Sequence, residues 1–289
     1  MVQHPYGNAE KKGAIVPENP FKDRIKRHLI GEDDDNIRVL EGNGMKTGTV
    51  KQILLLTDGC SNQGENPAAM AALAREEGLV VNVIGVMSKD IIDERAMGEI
   101  EQIAIAGGGI HQIVYAEQLS QTVQMVTRKA MNETIQGVVN KELQQILGNQ
   151  VTLEELPPEK RGEIMEVVED LGETVRMEVL VLVDTSASMK HKLPTVKEAL
   201  IDLSISLNAR SGDNQFAVYI FPGKRAEAEL VLDWSPRVES LSKIFEKLTT
   251  GGITPTGPAI REAIRHFKDK SSLRRLVNED DESYREETM

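Results

Sequence analysis

Residues 181–188 read VLVDTSAS. An apolar run stops on Asp184, and hydroxyls then recur at every second position, at Ser186 and Ser188. A continuous apolar run is the mark of a strand covered on both faces of a parallel sheet. The carboxyl ends of such strands are where open α/β sheets place their ligands. A second run of this kind stands far earlier, where residues 53–59 read ILLLTDG and the run ends on Asp58. These two stretches are either two sites or two halves of one.

Outward from both stretches, strand and helix patterns alternate. After ILLLT comes NPAAMAALAREEG (66–78), a helix with Pro67 in its first turn and Gly78 as its stop. LVVNVIGV (79–86) is the next strand, IIDERAMGEIEQIAIAGGG (91–109) a second helix, and IHQIVYA (110–116) a third strand. Residues 116–148 read as one long helix or two consecutive ones. A polar junction over 148–176 contains a helix opened by Pro158, with Ile164, Val167, Val168 and Leu171 on one face.

The alternation then resumes. VRMEVLVLV (175–183) is a buried strand ending at Asp184, followed by a helix striped by Val196, Leu200, Leu203 and Leu207. QFAVYIF (215–221) and AELVLDW (228–234) suit a hairpin, because only PGKRAE separates them. VESLSKIFEKL (238–248) is a short helix, and GGITPTGPAIREAIRHF (251–267) a glycine-rich loop entering a helix. Repetition of this kind predicts a doubly wound, mostly parallel α/β sheet with helices on both faces and one antiparallel edge strand.

Composition bounds the function. The chain has 289 residues, a net charge of −12, 40 % hydrophobic and only 3 % aromatic residues. A negative field argues against a nucleic-acid surface, because phosphates need a positive one. The same field helps recruit a cation. Cys60 is the sole cysteine, so no internal disulfide forms, and a reducing, cytoplasmic setting is expected. No apolar run has the length of a membrane span, so no membrane insertion is expected. Residues 1–44, rich in Gly, Pro, Asn and charge, are expected to be a disordered extension, with Met45 as a natural start of the folded part. The charged segment 269–289 is expected to be a frayed tail.

The chemistry lies in the spacing. Taken singly, Asp58 and Asp184 are ordinary helix-capping or turn aspartates. Asp184, Ser186 and Ser188 on one turn make an oxygen-only set suited to a hard cation such as Mg²⁺, which keeps several waters. Hydroxyl ligands are neutral, so the cation still wants an anion. Thr254 and Thr256 in the glycine-rich loop add hydroxyls, and Asn62 follows the Asp58 turn.

These residues resemble a von Willebrand factor A domain. Residues 178–268 are similar to the first half of that family, whose metal-ion-dependent adhesion site uses Asp-x-Ser-x-Ser and a later threonine, matching Asp184, Ser186, Ser188 and Thr254. The second half of the family carries a strand ending Thr-Asp-Gly, matched here by LLLTDG with Asp58. The halves stand in reverse order. The resemblance therefore implies a circularly permuted domain over 45–268, with 45–147 as the second half, 148–176 as a helical linker and 177–268 as the first half. Small intracellular proteins of this family from Bacillus-like bacteria look similar over most of that span.

The resemblance implies that Asp184, Ser186, Ser188, Thr254 and Asp58 surround one Mg²⁺ or Mn²⁺, with Thr256 and Asn62 as candidates for the rim. A partner protein would supply an Asp or Glu to the cation. The two halves would meet within one chain or through a domain-swapped dimer.

Two other classes compete. A phosphoryl hydrolase using a strand-end aspartate wants a second acid two residues on, where Ser186 and Cys60 stand instead. Neither a Cys-x5-Arg nor a Gly-x-Ser-x-Gly pattern is present, so no catalysis is expected. A purely structural module with a vacant site would leave five converging residues without a use. Cys60 has no histidine near it in sequence and is expected simply to line its loop. His191, just past the serines, is expected at the surface.

Overall fold

The computed structural model describes residues 49–87, 93–147, 153–237, 245 and 250–286. The expected extension 1–44 and almost all of the expected helix 238–248 lie outside these residues.

Six strands form one sheet: β1 (Thr49–Thr57), β2 (Val80–Met87), β3 (Gly108–Tyr115), β4 (Arg176–Asp184), β5 (Asn214–Phe221) and β6 (Glu229–Ser235). Their spatial order is β3-β2-β1-β4-β5-β6. All pairings are parallel except β5–β6, which is the expected antiparallel hairpin at the edge. The chain winds outward from β1 in one direction and from β4 in the other. The β1/β4 seam is therefore the topological switch point, the place where such sheets leave a crevice.

The apolar runs explain the layering. In β1, Leu54 and Leu56 face one helical layer while Ile53 and Leu55 face the other, and all four are fully buried. The first layer holds α3 (Leu119–Leu147), α4 (Pro158–Thr174) and α5 (Leu193–Asn208). The second holds α1 (Pro67–Glu76), α2 (Glu94–Ala106) and α6 (Thr256–Glu286). The 116–148 stretch is a single α-helix after a 3₁₀ turn over Ala116–Gln118.

Helix starts follow local chemistry. The Asn66 side chain accepts from the Ala69 amide with Pro67 next in line, and Asp93 accepts from the amides of Arg95 and Ala96. The junction helix α4 packs with Ile164, Val167, Val168 and Leu171 buried, as its spacing predicts. Its exit is pinned by Arg210, whose buried guanidinium donates to the carbonyls of Gly172 and Val175 and to Asn214 Oδ1.

Two polar side chains inside the sheet, Gln52 and Asn82, pair with each other. Asn82 donates to Gln52 Oε1, and its own oxygen accepts from the Ile110 amide. After residue 268 the helix continues to Glu286 where a frayed tail is expected. Residues 259–289 contain neither Gly nor Pro. Ala259, Ile260, Ala263, Ile264 and Phe267 anchor the first turns at helical spacing. Among the described residues no helix is long and apolar enough to cross a membrane.

Candidate metal centre

The register Leu56↔Val183 brings the ends of β1 and β4 level. Thr57, the last residue of β1, donates its hydroxyl to Asp184 Oδ2 at 2.7 Å. The other oxygen, Asp184 Oδ1, accepts the Ser186 amide at 2.7 Å. This carboxylate has no exposed surface. Burial pushes it up to about 6, against the hydrogen bonds from Thr57 and Ser186 that favour its charged form.

The turn after Asp184 folds for simple reasons. The Ser186 carbonyl accepts the Met189 amide, and the Met189 carbonyl accepts the Lys192 amide. Met189 drops into the core as a plug. The Ser186 and Ser188 hydroxyls are thereby held 3.1 Å apart. Ser188 donates to Asp58 Oδ1 at 2.8 Å, across the seam. The second oxygen of Asp58 meets the Lys192 ammonium at 2.5 Å, and the two side chains are only 2 % and 10 % exposed.

The third arm is the glycine-rich loop. Gly251 forms an isolated parallel bridge with Ser186, and its amide donates to the Thr185 carbonyl. A Cβ on Gly251 would lie 2.6 Å from Pro222 Cγ, so only glycine permits this approach. On its other side the loop is clamped to the Asp58 turn. Asn62 Oδ1 accepts the Thr254 amide, while the Thr254 carbonyl accepts both the Asn62 amide and the Ser61 hydroxyl. Behind it, a Cβ on Gly257 would fall 2.0 Å from the Glu65 carbonyl oxygen. Arg261 ties Glu65 to Glu227.

Asp184, Ser186, Ser188 and Asp58 thus belong to one hydrogen-bonded chain. The Thr254 loop is fastened to both of its ends. Of the rim candidates, Asn62 is the clamp on Thr254. Thr256 is buried at the start of α6, and its hydroxyl meets no hydrogen-bond partner among the described residues. His191 is exposed. Burial raises the Cys60 thiol, and the neighbouring Glu99 and Asp93 carboxylates add to that effect, which disfavours the thiolate.

Two participants escape sequence reading. Thr57 belongs to the strand pattern, and only the register shows that it serves Asp184. Lys192 sits in MKHKLP and resembles a surface lysine, yet it is buried against Asp58. The one available signal is that it falls just before Pro194 at the start of α5, within a turn of the serines.

The donor chemistry fits a hard divalent cation. Among the described residues there is no cluster of three or more His, Cys, Asp or Glu able to hold a metal. The oxygens gathered here are hydroxyls backed by two carboxylates. Ser188 spends its proton on Asp58, so in their mutual contact it accepts from the Ser186 hydroxyl, and one lone pair is left for a cation.

The von Willebrand factor type A domain model matches residues 178–280. That span contains Asp184, Ser186, Ser188 and Thr254 but not Asp58. The chain is 65 % identical over 242 residues to the Bacillus subtilis (strain 168) protein YabS, which covers 84 % of this chain and 99 % of that one. It is 42 % identical to a protein of known crystal structure from Alicyclobacillus acidocaldarius subsp. acidocaldarius DSM 446. The TM-score is 0.71, with 78 % of this chain and 96 % of that chain covered. With the motif, the sheet and these relatives in agreement, the chain belongs to the von Willebrand factor type A domain family.

Proposed function

We propose that this chain is a protein-binding module whose β1/β4 seam holds one divalent cation, Mg²⁺ or Mn²⁺, and that the cation recruits an Asp or Glu side chain from a partner protein. Domains of this family commonly mediate metal-dependent protein interactions. Ser186, Ser188 and Thr254 would bind the ion directly. Asp184 and Asp58 would act through the hydroxyls and through water. The observation that carries the reading is the hydrogen bond from Ser188 to Asp58, which joins residues of the two sequence halves at the switch point. The ion, when bound, supplies a Lewis-acidic centre for a carboxylate. The protein's part is to present neutral hydroxyls on a rigid turn.

The same contacts argue against a hydrolase. Both oxygens of Asp184 are occupied by hydrogen bonds and the residue is buried. Both oxygens of Asp58 are engaged by Ser188 and Lys192. Asp184 is fully buried and the Asp58 side chain nearly so, and neither carboxylate stands open to a substrate phosphorus.

We also read the chain as circularly permuted. The family model reaches only 178–280, yet β1–β3 completes the sheet. A doubly wound sheet consists of two β-α-β-α-β halves, and the order 3-2-1-4-5-6 reads the same from the opposite edge when the halves are exchanged. Permutation therefore leaves the β1/β4 seam intact. A cytoplasmic setting, expected from the single cysteine, is part of this proposal.

Calorimetric titration of Mg²⁺ and Mn²⁺ into the wild-type protein and the Asp184→Ala variant tests the reading, together with capture of partner proteins in Mg²⁺ or in chelator. Saturable binding and capture that both depend on Asp184 support it. Phosphoester turnover lost on Asp58→Asn, without any Asp184-dependent cation binding, would replace it with the hydrolase.

A further inference from the structure

We infer that Lys192 is a resident cation of the site, and that it makes divalent-ion binding depend on the arrival of a carboxylate. The inference rests on the cation-site reading above and goes beyond it.

The geometry is specific. Lys192 Nζ and Ser188 Oγ take the two oxygens of one carboxylate, Asp58. The ammonium therefore stands one carboxylate's width from the hydroxyl that would bind the ion. It is not a surface charge, since Lys192 is 8 % exposed as a residue. Its backbone is fixed as well, because its amide donates to the Met189 carbonyl and its carbonyl accepts the Val196 amide. The lysine is thus built into the turn that carries Ser186 and Ser188.

A charge count gives the consequence. Asp58 and Asp184 bring two negative charges to the seam, and Lys192 returns one positive. Glu99 is engaged by the loop backbone, where it accepts the Ser61 amide. A divalent ion then leaves the loaded site with one positive charge in excess, in a half-buried setting where charges are weakly screened. The ion is held loosely until an anion arrives, and a single carboxylate restores neutrality. Without Lys192 the two aspartates alone would balance the ion, and a partner carboxylate would gain less. Lys192 thereby couples the two ligands, and the coupling is reciprocal.

The test is calorimetry of Mn²⁺ alone and of Mn²⁺ with saturating acetate, on wild type, Lys192→Met and Lys192→Arg. Thermal melting in chelator confirms folding, and Lys192→Arg serves as the charge-retaining variant. Loss of the ammonium is expected to tighten Mn²⁺ binding by about tenfold or more. It should also shrink the acetate-induced gain seen in wild type. Lys192→Arg should behave as wild type. Wild type that binds Mn²⁺, with Lys192→Met binding it equally or more weakly, overturns this inference alone. The same holds if acetate strengthens both proteins equally. Absence of Mn²⁺ binding in all three proteins overturns the cation-site reading and this inference with it.

Discussion

Ser188 Oγ stands 2.8 Å from Asp58 Oδ1, although 130 residues separate them in the chain. That bond crosses the point where the winding of the sheet reverses. It joins the two motifs that opened the sequence reading into one group of oxygens.

Removing that bond separates the site from the fold. Ser188 is exposed at the turn, so Ser188→Ala leaves the core untouched. Stability in chelator is expected to change by less than about 1 kcal/mol, the scale of one exposed hydrogen bond. Mn²⁺ affinity is expected to fall by about tenfold or more, as the proposed ligand and the tie to Asp58 vanish together. Urea unfolding and calorimetry on the same preparation check both parts.

Asp184 sets a pH dependence in the cation-free protein. Its folded value is about 6 against an ordinary 3.8, so the folded state holds its proton more tightly than the unfolded chain does. The stability it contributes is fully present below about 3.8 and is lost as pH rises through about 6. Two pH units correspond to at most about 3 kcal/mol. In chelator, the urea midpoint of wild type should fall between pH 4 and pH 7, and Asp184→Asn should flatten that slope. Burial raises Glu99 in the same direction, so a smaller slope should persist in the variant.

Gly257 measures how tightly the third arm is packed. A Cβ there would meet backbone at 2.0 Å, and backbone cannot rotate away. Gly257→Ala is expected to destabilise by about 1–3 kcal/mol, the usual range for overpacking. It should also weaken Mn²⁺ binding by displacing Thr254 from the Asn62 clamp. Gly252, which has open space around it, is the control, and Gly252→Ala should leave cation affinity unchanged.

Arg210 tests the junction between the two halves. Its guanidinium reaches Gly172, Val175 and Asn214 while almost fully buried. Arg210→Met would leave those acceptors without their donor, at about 1–3 kcal/mol for each buried group stranded. A loss of about 3 kcal/mol in urea unfolding is expected. Loss below about 0.5 kcal/mol would mean that α4 is not held to the sheet through this residue.

Much of this was legible in the residues because the strands are pure. ILLLT and VLVLV admit one reading, a central strand buried on both faces, and each ends on its aspartate. The Asp184-Ser186-Ser188 spacing and the Gly251–Thr254 loop are local patterns, so short-range sequence carries them. Lys192 was not legible. Its sequence neighbours are Lys190 and His191, both exposed, and only the 3₁₀ turn at Ala187–Met189 directs it inward. The burial of Thr256 at the start of α6 was not legible either, because spacing alone does not reveal which threonine a helix start covers. The length of α6 was masked by charge, since a run of Glu, Asp, Lys and Arg suits an exposed helix as well as a solvated tail.

We propose that the oxygens at the β1/β4 seam hold a divalent cation. A crystal of the full chain grown with Mn²⁺, measured for anomalous scattering, tests it most directly. A single strong peak is expected about 2 Å from both Ser186 Oγ and Ser188 Oγ, with Asp184 and Asp58 behind them. A peak elsewhere, or a seam that keeps its Ser186, Ser188, Asp58 and Lys192 contacts unchanged in saturating Mn²⁺ with no peak, would contradict it.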